Sequence, residues 1–394
     1  MEPTLPEKLR FLVHDVTPRM VEFRRLLHSY PELSLQEFET RDRIRKQLET
    51  TIAEILPARI GTDDVALLHG KRPGPNITLR ADMDALPIDD QCGKPWQSRP
   101  KGIYHSCGHD GHMAMLTGAA LVLNDITASF KGSVRFVFQP AEEQSKGGKG
   151  LIEKGLLDED PRPNAVFALH GWPELPVGTF SARSGVYMAA IDRFTITIKG
   201  LGGHGAKPHL ALNPILPAVQ IVQAIQAVTT QSINPLFPAV ISVCQFHAGS
   251  VDNVIPGTAV LSGTVRYFEP SLKNMIRERL QDVVHGCSKA AGVKFEFEYR
   301  DGCIPLVNNP EMTARARKAI THYLGAKAWR DNLELTTSSE DFSFYLEKIP
   351  GAFIRIGLGE TSEKLHTSRF DFNDQALEFG IIALCALVLE ILHQ

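Results

Sequence analysis

Apolar and polar positions along the chain follow patterns that predict first helices and then short strands. Residues 9–29 carry Leu, Phe and Val at three- and four-residue spacing, which predicts an amphipathic helix ended by Pro31. Ser34 and Glu37 have the spacing of a capping box, so the next helix is expected to start there and to run to about Glu49. Further along, short apolar runs separated by Gly and Pro predict strands.

Four of the strand-like runs lead directly into acidic or metal-binding side chains. The runs are 76–80 (NITLR), 133–139 (SVRFVFQ), 165–169 (AVFAL) and 352–356 (AFIRI). The residues that follow them are Asp82 and Asp84, Glu142 and Glu143, His170, and a Gly-rich loop that reaches His366. Strands that alternate with helices, such as the apolar helix expected at 113–124, predict an open, largely parallel α/β sheet. Ligands bind outside the carboxyl ends of such strands, so these side chains are expected to share a site.

A middle segment, 187–296, interrupts this series with a different order of elements. It is expected to run strand (193–199), helix (213–230), two strands (239–246 and 258–268), helix (271–291) and strand. This β-α-β-β-α-β order predicts an inserted α+β domain of the ferredoxin-like type. The fold class is therefore α/β, with a discontinuous catalytic domain at 1–186 and 297–394 and an inserted satellite domain at 187–296.

Composition excludes several classes of protein. With 42 Lys plus Arg against 45 Asp plus Glu, the chain has a net charge of -3 and lacks the basic excess of a nucleic-acid-binding protein. The N-terminal segment lacks the apolar core of a signal peptide, and the apolar run at 379–392 is too short to span a bilayer, so we expect a buried helix there. Six scattered Cys predict free thiols and a cytoplasmic location.

The stretch HSCGHDGH, from His105 to His112, has the densest potential chemistry, and by itself it leaves several interpretations open. A structural zinc site would need a second close pair of ligands, which does not follow. A redox pair of Cys107 with Cys92 would lack the C-x-x-C spacing. A Cys-His nucleophile remains conceivable. A catalytic metal site is the fourth alternative.

The pair Glu142-Glu143 suits a division of labour at a metal site. One carboxylate would bind a metal, and the other would take a proton from water. Each polar residue also has a purely structural explanation, since His170 and His366 are acceptable core histidines and Asp82 and Asp84 are acceptable turn formers. Their joint occurrence at successive strand ends is harder to explain structurally.

The motifs taken together resemble the M20 metallopeptidase family, in its amidohydrolase subgroup of hippurate hydrolases, N-acyl-amino-acid hydrolases and auxin-conjugate hydrolases. They are RLLHSYPELSLQE (25–37), RADMDALP (80–87), HSCGHDGH (105–112), QPAEE (139–143), LHG (169–171), GLGGHGAKPH (200–209), DNVIPG (252–257), GTVR (263–266), SSEDFSFY (338–345) and LHTSRFDFND (365–374). They span nearly the whole chain in the family's order. The departures, such as Gly205 and Lys207 in GLGGHGAKPH, affect specificity more than activity.

The resemblance implies a dinuclear site for Zn²⁺ or Mn²⁺, with Co²⁺ or Ni²⁺ as further possibilities. Its ligands would be Cys107, His109, Glu143, His170 and His366. Cys107 would lie between the metals as a thiolate, Glu142 would be the general base, and Asp84 would orient a ligand. Asp82 stands where other branches of the family have a metal-binding His, which favours the amidohydrolase subgroup. Asp110 is expected to orient a ligand from behind, while His105 and His112 are expected to be structural.

In the satellite domain the resemblance implies three further site residues. His204 would help to stabilise the oxyanion, in several relatives across a dimer interface, and Asn253 and Arg266 would bind the substrate carboxylate or carbonyl. A homo-oligomer, either a dimer or a dimer of dimers built through this domain, is therefore expected. No nucleic acid or membrane partner is expected.

The expected activity is metal-dependent hydrolysis of the amide bond in N-acyl amino acids, which releases a carboxylic acid and a free amino acid. One alternative is a dipeptidase or carboxypeptidase with the same metal site. The other is a protein that binds amino-acid conjugates without hydrolysing them.

Overall fold

A computed structural model describes residues 4–331 and 334–392. Its helices are α1 (Leu5–Ser29), α2 (Phe38–Leu48), α3 (His109–Asp125), α4 (Gly147–Glu153), α5 (Ile215–Ala227), α6 (Leu272–Ala291), α7 (Pro310–Leu324), α8 (Ser343–Lys348) and α9 (Gln375–Leu392). Its strands are β1 (Glu54–Leu56), β2 (Asp64–His69), β3 (Asn76–Asp82), β4 (Ser133–Gln139), β5 (Pro163–Trp172), β6 (Phe180–Ser181), β7 (Gly185–Met188), β8 (Ala190–Lys199), β9 (Gly203–His204), β10 (Ala239–Ala248), β11 (Val254–Ile255), β12 (Thr258–Tyr267), β13 (Lys294–Asp301), β14 (Leu306–Asn308), β15 (Trp329–Arg330) and β16 (Gly351–Gly357).

The chain divides into two compact units, each of which is described by itself. The first unit comprises Met1–Tyr187, Val307–Glu334 and Asp341–Gln394. The second comprises Met188–Leu306 and Leu335–Glu340. The second unit is thus formed by two segments inserted in the chain of the first.

The first unit contains an eight-stranded sheet in the order β1-β2-β4-β3-β5-β16-β6-β15. Its centre is parallel, since β3 pairs with both β4 and β5, and β5 pairs with β16, in the same direction. The predicted strands at 76–80, 133–139, 165–169 and 352–356 are therefore confirmed, as is the α/β fold class. Because these four strands are parallel neighbours, the segments that follow them emerge at one edge of the sheet.

Helices α1, α3, α7 and α9 pack together with the central strands to form the core. β3, β4 and β16 are buried along their whole length, as expected for parallel strands covered on both faces. By length and composition α9 could cross a membrane, but 78% of that helix is buried inside the structure. It is the core helix that the apolar run at 379–392 predicts.

The capping-box prediction at Ser34 is wrong. α2 begins at Phe38, its N-cap is Glu37, and Leu35 adopts a left-handed backbone with φ of 65°. The Ser34 hydroxyl instead donates a 2.7 Å hydrogen bond to Oδ2 of the buried Asp84. A buried carboxylate needs its acceptors satisfied, and this tertiary demand outweighs the local preference of Ser for a helix N-terminus.

The second unit has the predicted ferredoxin-like order of elements. Its four-stranded antiparallel sheet has the order β10-β12-β8-β13, and α5 and α6 pack against that sheet. Buried and partly exposed residues alternate along β8 and β12, as expected for strands with one covered face. On α6, Ile276, Leu280 and Val284 recur every four residues and are all fully buried.

Candidate metal centre

Asp84 organises the loop that follows β4. One of its carboxylate oxygens accepts the backbone N–H of Glu142 at 3.0 Å, and the other accepts that of Glu143 at 3.1 Å. The residue before this pair, Ala141, adopts a left-handed backbone with φ of 56°. A non-glycine residue in that conformation costs about 1–3 kcal/mol and persists only where the surroundings enforce it. The loop is thus held in one conformation, which fixes both glutamates relative to β3.

The HSCGHDGH stretch forms the turn into α3. Gly108 is the N-cap with φ of 85°, and His109 is the first helical residue. A side chain at Gly108 would be strained, and its Cβ would lie 3.1 Å from the Phe372 ring. This tight turn places the buried side chains of Cys107 and His109 at the same end of α3.

Cys107, Glu143 and His366 form one group of potential ligands. Their ligand atoms all lie within 4.8 Å of one another. Nε2 of His366 lies 3.2 Å from the Cys107 sulfur and 3.3 Å from Oε1 of Glu143. His366 also has a left-handed backbone, with φ of 61°, and its N–H donates to the carbonyl of Ser106 at 2.8 Å. The loop after β16 is therefore tied directly to the HSCGHDGH turn.

His109 and His170 extend the group on its buried side. Nε2 of His170 lies 3.6 Å from the Cys107 sulfur, while its Nδ1 lies 2.8 Å from the Gly171 carbonyl. Nε2 of His109 lies 4.0 Å from Oε1 of Glu143. All five ligands that the resemblance implies are thus brought together by β4, β5, α3 and the loop after β16.

His112 and Asp82 lie behind these residues. Nδ1 of His112 lies 2.6 Å from Oδ1 of Asp82, and its Nε2 accepts the Gly171 N–H at 2.7 Å. The other Asp82 oxygen lies 2.7 Å from the Arg80 guanidinium and 3.7 Å from Nε2 of His109. Both ring nitrogens of His112 are occupied by protein groups, which agrees with the structural part expected for it.

The electrostatics of the site favour a bound cation. Burial opposes the charged form of His109, but Asp82, Asp84 and Glu143 outweigh it and raise the pKa of that imidazole to about 10. Burial, together with the Glu143 and Glu142 carboxylates, raises the pKa of the Cys107 thiol well above its usual value. A coordinated divalent ion would supply the missing positive charge and reverse the effect on the thiol.

The side chains present also suit such ions. Nε2 of His109 is buried and has no hydrogen-bond partner within the described residues, although buried polar atoms are nearly always paired. Its other nitrogen, Nδ1, lies 3.4 Å from Oδ1 of Asp84, and that arrangement is typical of a metal-binding imidazole backed by a carboxylate. Imidazole, thiolate and carboxylate together suit Zn²⁺ and related divalent ions.

Glu142 is held in position by residues that the sequence did not identify as part of the site. The N–H of Asp341 donates to Oε1 of Glu142 at 3.4 Å. The Asp341 carboxylate accepts from Arg80 at 2.9 Å and from Gln139 at 2.7 Å. Burial raises the pKa of Asp341 to about 6, against the opposing effect of Arg80. The SSEDFSFY motif, which contains Asp341, was the only sequence feature that could have pointed to this residue. Its partner Arg80 is 261 residues away along the chain, so no local pattern predicts their contact.

Asp110 lies against α1, and within the described part of the chain its carboxylate makes no hydrogen bond to any of the five predicted ligands. Its Oδ2 lies 2.7 Å from Nδ1 of His28 and 3.3 Å from the Arg24 guanidinium. His105 is fully buried, and burial lowers the pKa of its imidazole to about 4, so it is neutral near pH 7.

The remaining predicted site residues belong to the second unit. His204 lies on β9, which pairs with β11, and the Gly205 N–H donates to the carbonyl of Asn253 at 2.8 Å. His204 and Asn253 are therefore neighbours, and both are exposed. Arg266 lies on β12, and its guanidinium donates to the Thr337 carbonyl at 2.7 Å.

Comparison with known proteins, by sequence and by structure, identifies the family to which this chain belongs. The model of peptidase family M20/M25/M40 matches residues 78–390. An N-acetyl-L-cysteine deacetylase of Bacillus subtilis is 40% identical over 91% of this chain and 85% of its own length. Thermostable carboxypeptidase 1 of Saccharolobus solfataricus is 33% identical over 98% of both chains.

A solved structure of similar architecture extends this comparison. It is a dinuclear metal-binding peptidase of the M20 family from Bacillus subtilis, with a TM-score of 0.81 and 35% identity over 96% of this chain and 99% of that one. The family model covers well over half of the chain, and the matches run almost from end to end. The chain therefore belongs to peptidase family M20/M25/M40.

Proposed function

We propose that this protein hydrolyses the amide bond of N-acyl amino acids and releases a carboxylic acid and a free amino acid. The observation that carries the proposal is the convergence of Cys107, His109, Glu143, His170 and His366 beside Glu142. A similar deacetylase acts, by its name, on an N-acetylated amino acid. A similar solved structure is described as a dinuclear metal-binding peptidase. Both descriptions fit an enzyme that cleaves amide bonds with the help of metal ions.

The five converging side chains would hold two divalent ions, for which Zn²⁺ and Mn²⁺ are our first candidates and Co²⁺ and Ni²⁺ the next. When bound, such ions polarise a carbonyl and lower the pKa of water. Glu143 lies near Cys107, His109 and His366, so these four side chains would hold the ions together. Asp84 lies against Nδ1 of His109, on the other side of the ring from Nε2, and would hold that ring in place.

Glu142 would act as the general base. It would take a proton from the attacking water and then deliver that proton to the amide nitrogen as the bond breaks. Two contacts hold it in position, since its N–H donates to Asp84 and its carboxylate accepts the N–H of Asp341. A base held from both sides needs little reorganisation before it acts.

The second unit would contribute substrate recognition. We assign His204 to the oxyanion, where an imidazole donor stabilises the charge that develops in the transition state. Arg266 would bind the carboxylate of the amino-acid part, since a guanidinium matches that group with two parallel hydrogen bonds. Asn253, adjacent to His204, would donate to the carboxylate or the carbonyl.

A carboxypeptidase is the second candidate, because thermostable carboxypeptidase 1 is similar over nearly the full length. The two candidates share the metal site and differ in the group on the amino side of the cleaved bond. We favour the acyl-amino-acid substrate because the first relative, at 40% identity, is a deacetylase.

The test is a parallel assay of N-acetyl and N-benzoyl amino acids, dipeptides and a blocked carboxypeptidase substrate, with metal analysis of the same sample. We expect hydrolysis of the N-acyl amino acids, loss of activity after chelation and recovery with Zn²⁺ or Mn²⁺. Full activity in the chelated enzyme would contradict the metal-dependent mechanism. Preference for dipeptides or for the carboxypeptidase substrate would replace the proposed substrate class.

Two further assignments concern the assembly and the location. We propose a homodimer formed through the sheet of the second unit. We also propose a cytoplasmic location, since all six cysteines are free thiols. Cell fractionation with an antibody against the protein tests that location.

A further inference from the structure

A second cluster of potential ligands lies elsewhere in the first unit. It consists of His28 on α1 and of Asp90 and Cys92 in the loop before α3, and we call it the His28 cluster. One ligand atom from each of the three lies within 4.8 Å of the others. His28 is fully buried, the Asp90 side chain is 1% exposed and Cys92 is partly buried. None of the three belongs to the proposed catalytic centre.

The His28 ring is oriented as a metal-binding imidazole would be. Its Nδ1 lies 2.7 Å from Oδ2 of the buried Asp110, which fixes the ring from one side. Its Nε2 points to the other side, 3.4 Å from Oδ2 of Asp90. This nitrogen is buried and has no hydrogen-bond partner among the residues described. A carboxylate on one ring nitrogen, with the second nitrogen facing further potential ligands, is the usual arrangement of a metal-binding imidazole.

Backbone hydrogen bonds hold Asp90 in place and leave lone pairs on its carboxylate free to coordinate a metal. Its Oδ1 accepts the N–H of Cys92 at 2.8 Å, and its Oδ2 accepts the N–H of Ser98 at 2.8 Å. Each carboxylate oxygen offers two lone pairs, so one backbone bond per oxygen leaves a further position on each. Because the bond to Cys92 closes a tight turn, the carboxylate and the thiol are kept on the same side of the loop.

The surrounding charge favours a cation. The guanidiniums of Arg24 and Arg25 lie close by, and both pair with acidic residues. Those acids are Asp110, Asp371 and Asp374, and Asp90 adds a further carboxylate. Burial opposes the charged form of His28, but Asp110 and Asp90 outweigh it and raise the pKa of its imidazole well above the usual value. A bound divalent ion would take over the positive charge that these two carboxylates need in a buried setting, where unbalanced charge is costly.

We propose that Nε2 of His28, Oδ2 of Asp90 and the sulfur of Cys92 form a third metal site, suited to Zn²⁺. Imidazole, carboxylate and thiolate are all ligands of this ion, and a fourth position would face solvent on the exposed side of Cys92. Binding would displace both the Nε2 proton of His28 and the thiol proton of Cys92 to solvent. The ion would fasten the loop at 88–99 to the end of α1, where the Arg99 N–H and the Ser29 hydroxyl already link the two segments.

The first test measures zinc per chain in the full-length protein after loading and exhaustive dialysis. Cys92→Ser should bind about one zinc ion fewer than the natural chain and keep its rate of N-acyl amino acid hydrolysis. Cys287→Ser, a partly buried thiol on α6, is the matched control and should keep the full zinc content. Equal zinc contents in the Cys92→Ser variant and the natural chain would overturn the proposal. This outcome depends neither on the total number of zinc ions bound nor on which substrate the enzyme hydrolyses.

The second test follows alkylation of each cysteine by mass spectrometry of peptides, with and without added Zn²⁺. Coordination should slow the alkylation of Cys92 at least about tenfold, and Asp90→Asn should abolish that protection. Cys287 should react at the same rate in all samples. If Zn²⁺ leaves the rate at Cys92 unchanged, or protects it equally in Asp90→Asn, Cys92 is not a ligand of this site.

Discussion

At the scale of single residues, the neighbouring glutamates Glu142 and Glu143 have different surroundings. Glu142 accepts the N–H of Asp341, while Glu143 lies within 4 Å of His109 and His366. We therefore expect Glu142→Gln to lower kcat by roughly 10²–10⁴-fold with unchanged metal content, because it removes the base and spares the ligands. Glu143→Gln should lower the metal content itself. Steady-state kinetics and metal analysis of both purified variants measure these effects, and metal loss in Glu142→Gln equal to that in Glu143→Gln would contradict the assignment.

Glu37 gives a prediction for the pH dependence of stability. It is fully buried and accepts the Ala141 N–H at 3.0 Å. Burial and the nearby Asp84 raise its pKa to about 7, well above the value of about 4.3 in an unfolded chain. The folded state therefore holds this proton more tightly, so Glu37 lowers stability progressively as the pH rises between these two values.

Glu37→Gln should remove that pH dependence, because an amide keeps an acceptor oxygen for Ala141 and cannot ionise. Relative to the natural chain, the variant should gain about 2 kcal/mol between about pH 5 and about pH 8. Urea unfolding of the metal-free protein at several pH values measures the gain. Glu49→Gln, an exposed carboxylate just after α2, serves as the control and should show no such trend. A constant difference at all pH values would mean that Glu37 ionises normally.

Single residues also show what a sequence can and cannot predict. The clustering of Cys107, His109, Glu143 and His366 was expected from the order of motifs. The attachment of Ser34 to Asp84 was not, because it depends on a buried acceptor 50 positions away. The sequence did not predict the network of Asp341, Arg80 and Gln139 for the same reason. No local pattern distinguishes a buried ion pair from solvated charges.

At the scale of elements, the turn that leads into β4, the strand that precedes Glu142 and Glu143, depends on Gly132. This glycine has φ of 79°, and a Cβ there would lie 1.9 Å from the Pro75 carbonyl oxygen. Gly155 has a similar φ of 82° with nothing within 4 Å of a Cβ. The two positions therefore separate the cost of a left-handed backbone from the cost of a steric clash.

We expect Gly155→Ala to lower the free energy of unfolding by about 1 kcal/mol, the cost of the left-handed conformation alone. Gly132→Ala should lower it by at least about 3 kcal/mol, because the backbone must also move away from Pro75. Urea unfolding at one pH measures both variants. Equal losses would show that the turn before β4 relaxes freely and does not constrain the strand.

The elements themselves were predictable where their apolar patterns were long. β3, β4 and β16 are buried along their whole length, β5 is buried over 165–171, and α9 is largely apolar, so the apolar runs in the sequence indicated them. The start of α2 was not predictable, because the backbone at Leu35 is set by contacts of Ser34 outside the helix. Element interiors follow local pattern, whereas their ends follow tertiary contacts.

At the scale of the whole molecule, the two edges of the sheet in the second unit differ in character. The edge strand β13 carries exposed charged residues at alternate positions, namely Lys294, Glu296, Glu298 and Arg300. The opposite edge, β10, exposes apolar side chains, with Val240 41% and Phe246 40% exposed, and Leu236 just before it is 81% exposed. Charges on an edge strand prevent pairing with another chain, and an apolar edge permits it. The proposed dimer therefore places β10 at its interface.

Phe246→Asp tests this interface. In a two-fold dimer a substituted residue appears in both copies of the same patch, so each interface gains two carboxylates and loses two aromatic rings. We expect the dissociation constant to rise at least about 100-fold, since burying unpaired charge costs several kcal/mol. Light scattering behind size exclusion should give twice 43.5 kDa for the natural chain and 43.5 kDa for the variant. Glu298→Lys on β13 should remain dimeric, and if it dissociates while Phe246→Asp does not, the interface lies at the other edge.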